Sequence, residues 1–271
     1  MAFALVTPAS QGIGLALTRH LLATLSLPVI ATARHDLPSV RNRILSHLPS
    51  DRAPNAPSLL DLVECDLESE ASIASLASHI KSKYISSNSK DAHLRLGFCI
   101  PGVLFPERSP DKIDYDSALH TLRLNLLAPL LLAKHLTPFL PRKSTNLDVI
   151  EGLNPHPTSV LAFMSARVGS ISDNRAGGWY SYRSSKAGLN QLVKTLDIHL
   201  KTRAGDKAIC VGLHPGTVRT ELSREFWETV PKDKLFEKDF SAERLLEVVK
   251  GIKVEAGRGK CWDWKGEEVM P

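Results

Sequence analysis

The sequence is short of the residues that mark several protein classes. It holds four cysteines in 271 residues, Cys65, Cys99, Cys210 and Cys261. None has CxxC spacing, so neither a disulfide framework nor a zinc site is expected, and the thiols read as reduced core groups of a cytoplasmic protein. The ten histidines form no His-Glu-x-x-His or Cys/His pattern, so no metal is expected. No stretch reaches the roughly 18 uninterrupted apolar residues of a membrane span. Residues 1–10 lack the basic start and long apolar run of a secretory signal. Charge of one sign is not concentrated either. A total of 34 basic against 29 acidic side chains gives +5 and a pI near 9.0. The basic residues are spread along the chain with no arginine-rich or aromatic-interleaved block, so nucleic-acid binding is not expected.

What is present is enough apolar residue for a substantial core, 43% of the chain against 23% charged. Short apolar runs at 3–6, 28–32, 60–65, 96–100, 160–164 and 209–213 read as strands, with 260–264 as a seventh. Helical patterns follow the first run and recur at 70–84, 114–138, 180–202 and 241–251. Strands alternating with helices of this length predict an α/β fold, a doubly wound parallel sheet of about seven strands with helices on both faces. No repeat or Gly/Ser linker divides 1–271, so a single domain is expected. Segment 142–158, rich in Pro, Asn, Ser and Thr, reads as a surface insertion. Segment 215–240, irregular with short helical patches, suits a substrate lid. Both are expected to carry specificity.

Thr7-Pro8-Ala9-Ser10-Gln11-Gly12-Ile13-Gly14 joins the first strand to the first helix. Glycines there let the backbone approach a pyrophosphate. A helix starting near Gly12 presents free N–H groups and a positive dipole end to the anion. Farther on, Tyr182 and Lys186 are four residues apart on a helix between the fifth and sixth strands, so their side chains converge. Tyr180 competes, but no lysine follows it at that interval.

With the Pro215-Gly216 turn after the sixth strand, these segments resemble the short-chain dehydrogenase/reductase family over nearly the whole chain, from Thr7 to Trp264. The flanks Gly169-Ser170-Ile171 and Gly177-Gly178-Trp179-Tyr180-Ser181-Tyr182-Arg183 look closest to its C-factor/sniffer-like carbonyl reductase branch. The resemblance implies a Rossmann-type fold and an oxidoreductase that moves a hydride between NADP(H) and a carbonyl or alcohol. Tyr182 would be the acid/base and Lys186 its tuner and the clamp on the nicotinamide ribose. Asn125, polar within an apolar helix, would fix conformation and relay water; otherwise it reads as a hydrogen-bonded core asparagine. Cofactor contacts would come from Thr7, Ser10, Gln11, Gly12, Ile13, Gly14, Arg34, Asp66, Leu67, Gly102, Asn125, Tyr182, Lys186, Pro215, Gly216, Val218 and Thr220. Asp66 reads equally as a helix N-cap. The second strand ends in Ala33-Arg34, with no acid for a ribose 2′-hydroxyl. An arginine there suits a 2′-phosphate, so NADP(H) is expected over NAD(H).

An unperturbed tyrosine has a pKa of about 10, and a shift of ~3 units, roughly 4 kcal/mol, would poise it near neutrality. Lys186 would supply that attraction. The sequence also departs from the family. Pro8 stands where glycine is usual, and Cys99-Ile100-Pro101-Gly102 replaces Asn-Asn-Ala-Gly. The position of the carbonyl-orienting serine falls on Ala166. Ser165 lies one residue earlier, on the other face of a regular strand. Ser165 is expected to take the role at an irregular strand end, with Ser170 or a weakened role as alternatives. These departures motivate a second expectation, a cofactor-binding sensor or scaffold with weak or lost catalysis. The partners expected are a small carbonyl or alcohol and no nucleic acid or membrane. Helices 114–138 and 180–202, the dimer surface of similar proteins, point to a homodimer or homotetramer.

Overall fold

Strand and helix alternate from the start of the chain in the computed structural model, which describes residues 1–48, 53–85, 91–153 and 157–271. β1 (Ala2–Thr7) feeds α1 (Gly12–Thr24), and β2 (Val29–Ala33) feeds α2 (Leu37–Leu45) and the single turn α3 (Ala56–Leu59). β3 (Leu60–Glu64) leads to α4 (Glu70–Tyr84), and β4 (His93–Cys99) to α5 (Tyr115–Leu122) and α6 (Ala128–Leu136), joined by a π-helical turn at Arg123–Leu127. β5 (Ser159–Met164), α7 (Tyr180–Ala204) and β6 (Ala208–His214) follow. After them come β7 (Thr217–Val218), β8 (Leu235–Phe236), α8 (Lys238–Gly251), α9 (Val254–Gly257), β9 (Cys261–Asp263) and β10 (Glu268–Val269).

One eight-stranded sheet has the order β10-β9-β6-β5-β4-β1-β2-β3, parallel except for the β9–β10 pair. Successive residues of each strand enter opposite cores. Phe3 and Leu5 join Leu161, Phe163 and the apolar faces of α4, α6 and α7. Ala4 and Val6 join Ala162, Met164 and the faces of α1 and α8. Burying each such Leu, Val or Phe contributes roughly 1.5–3 kcal/mol, so both faces of the sheet are wanted covered. The order reverses between β1 and β4. The connections leave β1 toward one side and β4 toward the other, which opens a crevice at the carboxyl ends of these strands.

The structure departs from the expected pattern in four places. An eighth strand, β10, pairs antiparallel at the edge through only two residues, too few for a periodic signal. α2 was not expected; Asp36 accepts a hydrogen bond from Ser39 N at its start, and only Val40 and Ile44 are buried. Segment 114–138 is not one regular helix, because α5 and α6 are separated by the π turn. The described residues of segment 142–158 precede β5, and none of them lines the crevice, against the expectation that this segment carries specificity. Of that segment, 154–156 lie outside the described residues.

Candidate active site

The crevice is a cavity of about 770 Å³ at the carboxyl edge of the sheet. One end is the start of α1. Gln11, its N-cap residue, makes no side-chain capping bond, and there is no acid in the first turn. The first N–H groups of α1 are thus left to an outside acceptor. Gln11, Gly12, Ile13 and Gly14 all line the cavity. A Cβ on Gly14 would stand 2.0 Å from the Pro8 carbonyl oxygen, so the turn admits only glycine there. Pro8, the departure from the family pattern, is thereby part of a closely packed strand–helix turn. Segment 215–240 closes over this end. A Cβ on Gly12 would lie 3.5 Å from Thr220 Cγ2, and Pro215, Gly216, Val218 and Thr220 line the cavity.

The other end holds Tyr182 and Lys186, one turn apart on α7 and 7% and 2% exposed. Lys186 Nζ donates to the Met164 carbonyl at 2.8 Å and lies 5.6 Å from the Tyr182 ring centroid. Burial pushes the Tyr182 phenol up to about 12 and lowers Lys186 to about 8. The downward poise expected for Tyr182 is therefore not set by the chain's own residues, because burial raises the phenol. At neutral pH the phenol keeps its proton.

Asn125 lies in the π turn, fully buried. Its Oδ1 accepts from Val103 N at 2.9 Å. Its Nδ2 donates to the Val103 carbonyl at 2.9 Å and to Ser185 Oγ at 3.2 Å. It thus ties the loop after β4 to α7. A Cβ on Gly102 would stand 3.8 Å from Asn125 Oδ1 and 3.9 Å from Lys186 Nζ. Gly102 thus borders both groups at ordinary contact distance.

Ser165 is 2% exposed at the cavity wall, and its hydroxyl donates to Asn190 Oδ1 at 2.6 Å. With its proton directed at α7, it is not a donor to a carbonyl in the cavity. Ala166 lines the cavity beside it. Ser170 is occupied elsewhere, accepting from Asp173 N at 3.1 Å and bonding to Ser172 and the Pro271 carbonyl, and it does not line the cavity.

The other expected contacts are dispersed. Thr7 Oγ1 is 2.6 Å from Thr32 Oγ1, engaged within the sheet. Ser10 is half-buried in the β1–α1 turn and does not line the cavity. Arg34 is exposed at the end of β2 and has no partner among the described residues. Cys65 N donates to the Ala33 carbonyl, which sets Asp66 and Leu67 beside it on the carboxyl edge. The Leu67 side chain is in the core, and Asp66 Oδ1 accepts from Glu68 N. Asp66 is not the N-cap of α4; Ser69 is.

Several site residues escaped the sequence reading. His214, at the end of β6, lines the cavity; burial, then Arg167, lowers it to about 4, so it is neutral near pH 7. Trp179 precedes α7 at φ 54, after Gly177 and Gly178, also left-handed. Its indole is edge-on to Tyr182 at 6.1 Å and 5.0 Å from Phe226. Glu107, 5% exposed in the loop after β4, holds this turn. Its carbonyl accepts from Trp179 N at 2.7 Å, and its carboxylate accepts from Ser181 N at 3.3 Å and from Ser181 Oγ. A lone Glu far from α7 carries no sequence signal for such a cap. Glu107→Ala is expected to cost about 1–2 kcal/mol and lower Tm by roughly 2–8 °C, read by thermal unfolding; an unchanged Tm would contradict the capping role.

The cavity wall carries six Lys and Arg side chains against two carboxylates, Asp173 and Glu221. Among the described residues, no group of three or more His, Cys, Asp or Glu is placed to hold a metal, and no helix is long and apolar enough to cross a membrane.

Fold and site together define a doubly wound α/β protein with a buried Tyr–Lys pair at the switch point of its sheet. No protein-family model matches the chain. It is 29% identical over 157 residues to the C-signal protein of Myxococcus xanthus, covering 58% of this chain and 80% of that one. The NADPH-bound carbonyl reductase from chicken fatty liver superposes with a TM-score of 0.76 at 26% identity, over 99% of this chain and 98% of the other. The carbonyl reductase Sniffer of D. melanogaster shares the fold, with a TM-score of 0.75 at 23% identity over 100% and 98%. The chain is thus similar to oxidoreductases and carbonyl reductases in sequence and fold.

Proposed function

We propose that this protein is an NADP(H)-dependent oxidoreductase that interconverts an aldehyde or ketone with an alcohol. The observation that carries the reading is one cavity joining an uncapped helix start to a buried Tyr182–Lys186 pair. The residues fit the cofactor. The first turn of α1, with Gly12 and Gly14, would take the pyrophosphate, Arg34 the 2′-phosphate, and Asp66 and Leu67 the adenine edge. Lys186 would hold the nicotinamide ribose over Gly102, with Val218 and Thr220 at the carboxamide. Lys238, which lines the cavity at the start of α8, adds a cation near the phosphate end.

When bound, NADPH supplies the hydride and, once oxidised, a positive ring. The protein's part is proton transfer and charge. Tyr182, protonated at neutral pH by its burial, donates to the substrate oxygen as negative charge develops there. Lys186 remains largely charged at pH 7, because its lowered value of about 8 still lies above it, and its charge favours the phenolate left behind. Asn125 holds the loop and helix that keep these groups together. With Ser165 turned to Asn190, Tyr182 acts without a second hydroxyl on the carbonyl. Ala166→Ser is therefore expected to raise kcat/KM about tenfold by adding a donor where charge develops; steady-state rates unchanged by the substitution would show that the cavity already orients the carbonyl.

The test of the function is NADPH oxidation against aldehydes, ketones and quinones, beside direct NADPH binding. Turnover of any of these is the expected result. Tight binding with no turnover on any would replace the enzyme by the sensor reading. A small-molecule substrate, a cytoplasmic location and a homodimer belong to the same proposal. The dimer is supported by Tyr115, Leu119, Leu122, Leu127 and Leu130 on α5, the π turn and α6, and by Ile198 on α7, all left exposed.

A further inference from the structure

We infer that the substrate carries a carboxylate on an apolar, preferably aromatic, body, and that Arg175 binds this anion. The inference deepens the proposed carbonyl reduction and rests on it. The wall beside Tyr182 is aromatic: Trp179 is edge-on to Tyr182 at 6.1 Å and packs on Phe226 of the lid at 5.0 Å. An aryl ring packs favourably in such a slot, by offset or edge-to-face contact.

Among the cavity's guanidinium groups, three are already engaged. Arg167 is ion-paired to Asp263 at 3.0 Å and Asp173 at 3.4 Å. Arg219 is paired to Glu237 at 3.0 Å and lies over the Trp227 ring. Arg183, on the first turn of α7, donates to the carbonyls of Gly177, Gly178 and Val168, which ties its guanidinium to the loop before the helix. Arg175 lines the same cavity with no hydrogen-bond or ion-pair partner among the described residues. It stands in the loop between β5 and α7, the loop that ends in Trp179 beside Tyr182. A free guanidinium fork at the substrate end matches a carboxylate in a bidentate geometry. Arg183, on the first turn of α7 and bonded only to main-chain carbonyls, adds a second cation to the same wall; Asp173, the carboxylate in the loop that carries Arg175, is paired with Arg167.

The experiment compares 4-carboxybenzaldehyde with its uncharged methyl ester, methyl 4-formylbenzoate, as NADPH-dependent substrates of the parent and of Arg175→Gln and Arg175→Lys. The expected result is a kcat/KM about tenfold higher for the acid, expressed in KM, with the preference lost in Arg175→Gln and partly kept in Arg175→Lys. Binding of 4-(hydroxymethyl)benzoate, followed by tryptophan fluorescence with Trp179→Phe to mark the signal, should weaken by the same factor in Arg175→Gln. An ester used as well as the acid, a preference that survives in Arg175→Gln, or no binding of the alcohol would overturn the inference and leave carbonyl reduction standing. Absence of turnover on every carbonyl, with NADPH bound, would overturn the reduction itself and this inference with it.

Discussion

Tyr182→Phe will lower kcat for carbonyl reduction by about a thousandfold and leave NADPH affinity within a fewfold. The phenol is the hydroxyl placed beside Lys186 at this end of the cavity, since Ser165 donates to Asn190 and Ala166 has no hydroxyl. The ring itself packs against Trp179 and under Lys186, and phenylalanine preserves both contacts. Loss is therefore expected in the chemical step and not in folding or cofactor binding. Single-turnover rates beside NADPH titrations separate the two, and a variant as fast as the parent would dismiss the mechanism. The same pair sets a pH limb. Lys186 is lowered to about 8, so its charge is present below that value and lost above it. Reduction should thus decline as pH rises through about 8, and a profile flat up to about pH 10 would show that this charge does not matter.

Arg34→Ala will weaken NADPH binding about thirtyfold, roughly 2 kcal/mol, the scale of hydrogen bonds to a charged group. Affinity for NADH, which lacks the 2′-phosphate, should change far less. The side chain leaves β2 exposed and unpartnered. The nearest acid in sequence, Asp36, is spent as the N-cap of α2, where it accepts from Ser39 N. It neither neutralises Arg34 nor stands free to hold a ribose 2′-hydroxyl. Direct titration of both cofactors reads the effect, and a parent that binds them equally would remove the preference for NADP(H).

Most of the frame was legible because it is written in local periods. Apolar runs such as Val160–Met164 and 209–213 are buried on both faces, so they stand out as continuous hydrophobic segments between amphipathic helices. β10 did not, since two residues pair only because β9 is already in place beside them. The π turn at Arg123–Leu127 also lacked a local signal; it coincides with Asn125, whose bonds to Val103 and Ser185 come from elsewhere in the fold. In the site, Tyr182 and Lys186 were readable from a spacing of four, which only a helix turns into proximity.

By itself the sequence determined the alternation of strand and helix, the glycine turn after β1, the Tyr–Lys face of α7 and the absence of an acid after β2. Each depends on residues within a few positions of one another, and backbone geometry alone converts such spacing into arrangement. Only the tertiary structure decided which way Ser165 turns, that Glu107 caps α7, and that burial leaves Tyr182 protonated. It also decided that Arg175 alone among the cavity's arginines is left without a partner among the described residues. Those outcomes depend on desolvation and on hydrogen bonds between segments distant in the chain, quantities that exist only once the sheet has brought its carboxyl edges together.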